Sequence, residues 1–232
     1  ADGMSFAVFD GMGGAAYGEI ASEIAVQTMK KYERRLKNAE GMRAVDQIVT
    51  EFVTEANNSI CDMLREKNCL SGGTTFAMLY FIDGLAKLYY LGDSRIYMQD
   101  EEDLICLTRD HTLANQKLDA GIYTEAQAKK SADQHRLTLY VGVDKNGLGL
   151  NADSRPPVAL QPGRKFLLCT DGLVDMCSEQ EIQDILSQDY FNEAAVLVQT
   201  AVNYGGIDNV TCIVLEVIPI EESAELESDP ML

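Results

Sequence analysis

The chain alternates between short apolar runs closed by acidic or glycine turns and longer stretches whose apolar residues recur at helical spacing. Phe6-Ala7-Val8-Phe9 is apolar and rich in β-formers, which predicts a buried strand. Asp10 and the turn Gly11-Met12-Gly13-Gly14 follow directly. Beyond the turn, Ala21, Ala25, Met29, Tyr32 and Leu36 recur at i+3 and i+4, with Ile20 and Ile24 alongside, and predict an amphipathic helix. Its basic end, from Lys30 to Lys37, suits the negative end of a helix dipole. Core positions interleave with those charges, which argues against an anion-binding patch. Residues 38–41 break the pattern. Val45, Val49, Phe52, Ala56, Ile60 and Met63 then predict a second helix, antiparallel to the first.

After Gly72-Gly73 the period changes. Residues 74–82 are rich in β-formers, Asp83-Gly84 is a two-residue hairpin signal, and residues 85–91 read as the return strand. Gly92-Asp93-Ser94-Arg95 interrupts that strand and Ile96-Tyr97-Met98 resumes it. An acidic turn at 100–103 leads into Leu104-Ile105-Cys106-Leu107, so the region reads as an antiparallel meander. Residues 108–134 are polar and loosely helical around 113–120 and 124–130, and are expected to form a surface flap. A short strand is expected at 137–141, a turn region at 146–153, and an edge segment at 158–160 between Pro156-Pro157 and Pro162-Gly163.

Phe166-Leu167-Leu168-Cys169-Thr170 repeats the opening logic, a buried strand ending at Asp171-Gly172. Ser178 with Glu181 forms a capping box for a helix, and a further helix spans 191–204 before Gly205-Gly206. Asp208-Asn209 leads into a final strand at 210–218. Residues 1–220 read as a single domain, with 108–134 a flap within it. Residues 221–232 read as an acidic, disordered tail.

At 232 residues and 46% hydrophobic, the chain holds enough apolar material for a sizeable core. Lys+Arg of 19 against Asp+Glu of 37 gives a net charge of −18. That balance argues against nucleic acid or an anionic membrane as a partner. It is compatible with a site that gathers divalent cations, although a soluble acidic surface accounts for most of the excess. The six cysteines include no C-x-x-C pair, and no leader precedes Ala1-Asp2-Gly3, so a cytoplasmic protein with reduced thiols is expected. No apolar run approaches the roughly 20 residues that cross a bilayer.

Asp10, Asp171 and Asp208 each sit at the end of an apolar strand, the first two beside glycine. Asp93 lies in the glycine-bounded strand break, and Asp175 lies four residues after Asp171. Clustered at one sheet edge, such carboxylates repel unless cations lie between them. Hard ions such as Mg²⁺ or Mn²⁺ take carboxylate, carbonyl and water oxygens. Two of them about 3.5–4 Å apart lower the pKa of a bridging water, whose hydroxide attacks phosphorus in line without a protein nucleophile. With only two histidines, His111 and His135, a His-rich zinc site is disfavoured. No G-x-S-x-G elbow or P-loop is present. Isolated aspartates at strand ends are also ordinary turn formers, and spacing leaves both readings open.

The motifs FAVFDGMGG at 6–14, SGGTT at 71–75, LGDSR at 91–95, LTRDH at 107–111, LCTDGL at 168–173 and DNVT at 208–211 occur in this order. Together they resemble the metal-dependent serine/threonine protein phosphatases of type 2C, in a bacterial form, over nearly the whole chain. The resemblance implies an α+β fold: a four-layer α-β-β-α sandwich, two antiparallel sheets flanked by helix pairs. It implies hydrolysis of phosphoserine and phosphothreonine on proteins. Asp10 would bridge two Mn²⁺ or Mg²⁺ ions, Gly11 would offer its carbonyl, and Asp171 and Asp208 would complete the pair of sites. Asp93 and Asp175 match positions that hold a third, weaker ion. Substrates would be phosphorylated proteins, a serine/threonine kinase among them, and the protein would act as a monomer.

Two departures stand out. Family members carry, before the first strand motif, a segment whose arginine binds substrate phosphate; this sequence does not include it, so that segment is either trimmed or natively absent. Met12 stands where many eukaryotic relatives have a histidine proposed as general acid, a methionine that bacterial members often share. The first departure supports an alternative, an inactive relative that keeps the fold as a binding module. A cation-binding structural protein is a third reading. Retention of Asp10, Asp93, Asp171, Asp175 and Asp208 argues for the enzyme.

Overall fold

A computed structural model describes residues 3–13, 15–69, 71–100, 103–143, 149–188 and 190–219. The expected acidic tail at 221–232 lies outside the described residues, as do 101–102 of the acidic turn and 146–148 of the expected turn region. In chain order the elements are β1 (Met4–Val8), β2 (Gly11–Met12), α1 (Ala15–Lys37), α2 (Met42–Glu66), β3 (Gly73–Thr74), β4 (Phe76–Ile82), β5 (Leu85–Leu91), β6 (Arg95–Asp100) and β7 (Asp103–Cys106). Then come α3 (Leu113–Asp119), α4 (Glu125–Ala128), a 3₁₀ turn (Ala132–His135), β8 (Asp153–Ser154) and β9 (Val158–Ala159). The last are β10 (Lys165–Cys169), α5 (Asp171–Val174), α6 (Glu179–Leu186), α7 (Glu193–Asn203) and β11 (Cys212–Glu216).

These elements stack as the four layers expected. One sheet runs β1-β4-β5, with β8 and β9 both paired to β5; the other runs β11-β10-β6-β7. All of these pairings are antiparallel. Side chains alternate across each strand. Phe76, Met78, Tyr80 and Ile82 of β4 pack beneath α1 and α2 with Phe52, Val49 and Ile60. Their neighbours Ala77, Leu79 and Phe81 face the second sheet and meet Ile96, Phe166 and Leu168. On the far side, Tyr97, Leu167 and Cys169 pack against Leu173, Ile182, Ile185 and Leu197 of the second helical layer. β4 is buried on both faces, which is why it reads as an unbroken apolar run and not as an alternating one.

The α1–α2 pair is antiparallel: Lys31 meets Glu55 at 2.7 Å and Arg35 meets Glu51 at 2.6 Å, so later residues of one helix face earlier residues of the other. The basic end of α1 is thus partly neutralised by its neighbour. These exposed pairs are screened by solvent and contribute little, and the buried apolar face of α2 supplies most of the docking energy. Asp83 and Gly84 both have positive φ, 49° and 73°, as a tight hairpin between twisted strands requires. The Ser178–Glu181 capping box is present at the start of α6.

Several boundaries differ from expectation. Gly92-Asp93-Ser94 does not interrupt one meander; it carries the chain from the first sheet to the second, since β5 and β6 belong to different sheets. Gly92 makes the step possible with φ of +104°, and a Cβ there would lie 2.7 Å from Thr75 Cγ2. Residues 137–141 form no strand. Leu137 bridges Thr112 while Val141 bridges Thr74, so the two ends pair with different partners and no ladder can propagate. The final strand, Cys212–Glu216, is shorter than 210–218; at its start the Thr211 amide donates to Thr170 Oγ1 (3.1 Å) and not to a strand carbonyl. Asp171 opens a helical turn, α5, that the sequence pattern did not predict.

Candidate active site

Asp10 leaves β1 on a backbone held from both sides. Its N–H donates to Thr75 Oγ1 (2.9 Å), and its carbonyl accepts from the Thr75 N–H (2.8 Å) and from Thr74 Oγ1 (2.9 Å). Thr75 Oγ1 in turn lies 2.6 Å from Ser94 Oγ, so two buried hydroxyls join the Asp10 turn to the turn that carries Asp93. Gly11-Met12 and Gly73-Thr74 pair as a two-stranded ribbon beside α1. Gly11 allows that approach, because a Cβ on it would sit 2.1 Å from the Gly18 carbonyl oxygen. The Gly11 carbonyl itself lies against Gly18, where a Cβ would come within 2.6 Å of it.

Asp171 begins α5 directly after β10, and Asp208 sits in the exposed loop between α7 and β11. What brings them together is Gly172. A Cβ there would meet the Asn209 carbonyl oxygen at 2.2 Å and Asp208 Cβ at 3.5 Å. Thr170 clamps the same junction: its N–H donates to the Thr211 carbonyl (3.0 Å) and its Oγ1 accepts from the Thr211 N–H (3.1 Å). Asp208 Oδ1 accepts from the Asn209 N–H (2.7 Å), which orients its carboxylate. Asp171 Oδ1 is buried and has no hydrogen-bond partner among the described residues. Such a group carries its full desolvation cost unless something else satisfies it.

The electrostatics show how closely the aspartates converge. Burial, then the Asp171 carboxylate at hydrogen-bonding range, then Asp208 raise the Asp10 carboxyl from an ordinary 3.8 to about 7. Asp93, 9% exposed, is pushed up to about 8 by burial first, then by Asp171, Asp110 and Asp10. Asp175, at the end of α5, is also raised, by burial and then by Asp171, while His135 and Arg95 pull the other way. Arg95 is already committed elsewhere, in a fork to Asp110 with bonds of 3.0 and 2.7 Å. All five sequence-predicted carboxylates therefore belong to one interacting set.

Asp10, Gly11 and Asp208 line a cleft of about 900 Å³ with Glu19 and Ser22 of α1 and with Thr170 and Asn209. No basic side chain is among its lining residues. Divalent cations fit such a place: the donors are oxygens, the carboxylates repel one another, and a buried oxygen lacks a partner. Three residues of this neighbourhood carried no assigned role from sequence. Asp110 acts on Asp93 and holds Arg95. His111 stacks on Tyr90 with ring centroids 5.2 Å apart, and its Nδ1 accepts the Gly92 N–H (3.0 Å), which pins the Asp93 turn. Both lie in the LTRDH motif, which marked the place without the partner. His135 lies 3.7 Å from Asp175, and no motif surrounds it.

A two-sheet sandwich whose strand-end aspartates form one electrostatically coupled set has the architecture of a metal-dependent phosphatase. Residues 1–202 match the family model of protein phosphatase 2C, and the chain belongs to that family. Protein phosphatase PhpP of Streptococcus pneumoniae is 32% identical over 220 residues, which span 93% of this chain and 86% of PhpP. The serine/threonine phosphatase of S. agalactiae has the same fold, with a TM-score of 0.84 at 25% identity over 93% of this chain and 88% of that one. The catalytic domain of the serine/threonine phosphatase PstP, crystallised in complex with two manganese ions, matches with a TM-score of 0.76 at 27% identity, again over 93% and 88%.

Proposed function

We propose that this protein hydrolyses phosphoserine and phosphothreonine on other proteins with divalent ions held by Asp10, Asp171 and Asp208 and by the Gly11 carbonyl. Asp93 and Asp175 hold a third, weaker ion. Mn²⁺ or Mg²⁺ suits the oxygen-rich set, and the PstP complex with manganese supports the former. The observation that carries the reading is the convergence of these carboxyls, which hold their protons unusually tightly, with Asp171 Oδ1 buried and without a hydrogen-bond donor among the described residues' fixed donors. Bound there, such ions supply charge neutralisation at phosphoryl oxygens and a lowered pKa for water.

The chain's own residues do the remainder. Thr74 and Thr75 lock the Asp10 backbone, and Gly172 and Thr170 place Asp208 beside Asp171. Asp10 and Asp93 release their protons when cations arrive. Cations there would supply positive charge facing a phosphate, since the described lining residues are acidic, polar or apolar.

The same reading takes residues 1–220 as one phosphatase domain and 108–134, with α3 and α4, as a flap beside the cleft. It places the protein in the cytoplasm. No helix among the described residues is long and apolar enough to cross a membrane. The high negative charge supports a monomer, and family analogy alone adds a serine/threonine kinase to the substrates. Nothing in the site favours the inactive alternative. Turnover of a phosphothreonine peptide tests the proposal: it requires Mn²⁺, stops with EDTA, and is abolished in Asp171→Asn. Turnover indifferent to EDTA excludes it.

A further inference from the structure

The imidazole of His135 stands at the acidic set without a role in the reading above. One ligand atom from each of His135, Asp171 and Asp175 lies within 4.8 Å of the other two. That spread is close to what one six-coordinate ion needs, since opposite ligands lie about 4.2 Å apart at bonds of ~2.1 Å. His135 Nδ1 is 3.7 Å from Asp175 Oδ2, near enough to share an ion but too far for a direct hydrogen bond. Independently, Asp171 Oδ1 is buried without a hydrogen-bond partner among the described residues.

The surroundings of His135 fit a ligand. The far ring nitrogen, Nε2, lies 2.9 Å from the side-chain amide of Gln134. With an ion on Nδ1 the proton sits on Nε2, and the Gln134 amide turns its oxygen to accept it, which fixes the ring. The 3₁₀ turn that carries His135 is itself tied down. Asp133 accepts from Lys117 Nζ (2.5 Å), the Tyr123 hydroxyl (3.0 Å) and Arg136 (3.2 Å). The imidazole is 52% exposed, so an ion from solvent can reach it.

We propose that His135 is a nitrogen ligand to a divalent ion shared with Asp171 and Asp175, which ties the 3₁₀ turn at the end of the 108–134 segment to α5. This rests on the metal-centre reading of the preceding section. A mixed nitrogen and oxygen donor set disfavours Mg²⁺ here and favours transition ions such as Mn²⁺. Ion binding at this position also restrains the flap, because α3 is bonded to the same turn through Lys117.

The test is three-pulse electron spin-echo envelope modulation of the full chain, stripped and reloaded with Mn²⁺. The expected signal is a ¹⁴N imidazole coupling that becomes ¹⁵N in protein labelled with ¹⁵N-histidine, a result that needs no variant. In His135→Ala the coupling vanishes and the weakest-bound Mn²⁺ loses at least about tenfold in affinity. Mn²⁺ bound without a histidine coupling, or a coupling that survives His135→Ala, overturns the inference and leaves the carboxylate centre standing. Failure to bind Mn²⁺ at all, or binding unchanged by Asp171→Asn, overturns that centre and the inference with it.

Discussion

Gly172 is in contact with the backbone of Asn209: a Cβ at position 172 would lie 2.2 Å from the Asn209 carbonyl oxygen. This contact decides how close Asp208 comes to Asp171. Two loops far apart in sequence meet there, and only a hydrogen fits between them. In Gly172→Ala the Asp208 loop must move outward. Overpacking of this kind costs about 1–3 kcal/mol. A shift of about 1 Å at a reacting centre costs on the order of 10²-fold in rate. The expected outcome is a folded protein with a modestly lower Tm and a kcat/KM reduced on that scale. Thermal melts and phosphopeptide kinetics on one preparation check both parts.

Thr75 holds Asp10 through a side-chain oxygen and reaches Ser94 at 2.6 Å. Thr75→Val keeps the shape and removes the acceptor, which leaves the Asp10 N–H and the Ser94 hydroxyl short of a partner in a buried place. The stability cost is about 1–3 kcal/mol. Loosening of both the Asp10 and the Asp93 turns lowers kcat more than it raises KM. Thr75→Ser, which retains the hydroxyl, is expected to recover most of the activity. Denaturant unfolding and steady-state kinetics on the pair of variants separate the two effects.

The metal-free protein has a defined pH dependence. Asp10 titrates near 7 and Asp93 near 8 in the folded state, against an ordinary 3.8 for each. A carboxyl whose folded pKa is raised stabilises the fold while protonated. Its contribution is complete below about pH 4 and is lost as pH rises through the folded value. With EDTA present, Tm therefore falls as pH rises from about 5 to about 8.5. Saturating Mn²⁺ reverses the trend, since the ion competes with those protons. Scanning calorimetry across the window, with and without metal, checks the sign. A metal-free Tm that climbs through it contradicts the assignment.

Much of this was readable from the residues, for physical reasons. The unbroken apolar run of β4, the Asp83-Gly84 hairpin and the Ser178–Glu181 capping box are local signals whose structures depend on few distant contacts. The strand-end aspartates were found because each borders an apolar run. The crossover at Gly92 was not readable as such. The same alternation serves either sheet, and only tertiary packing decides which one β6 joins. Residues 137–141 carry strand formers, yet their partners are split between Thr112 and Thr74. His135 lies in a polar stretch, forty positions before Asp175, and nothing in its neighbours announces the meeting. Long-range placement of single side chains is what sequence pattern leaves open.

The central claim is that the carboxylates of Asp10, Asp171 and Asp208 hold divalent ions. An anomalous difference map from a manganese-soaked crystal, collected at the manganese edge, tests it most directly. The account predicts at least two peaks in contact with the Asp10 carboxylate and with Asp171 and Asp208. A map without peaks among these side chains at saturating manganese contradicts it.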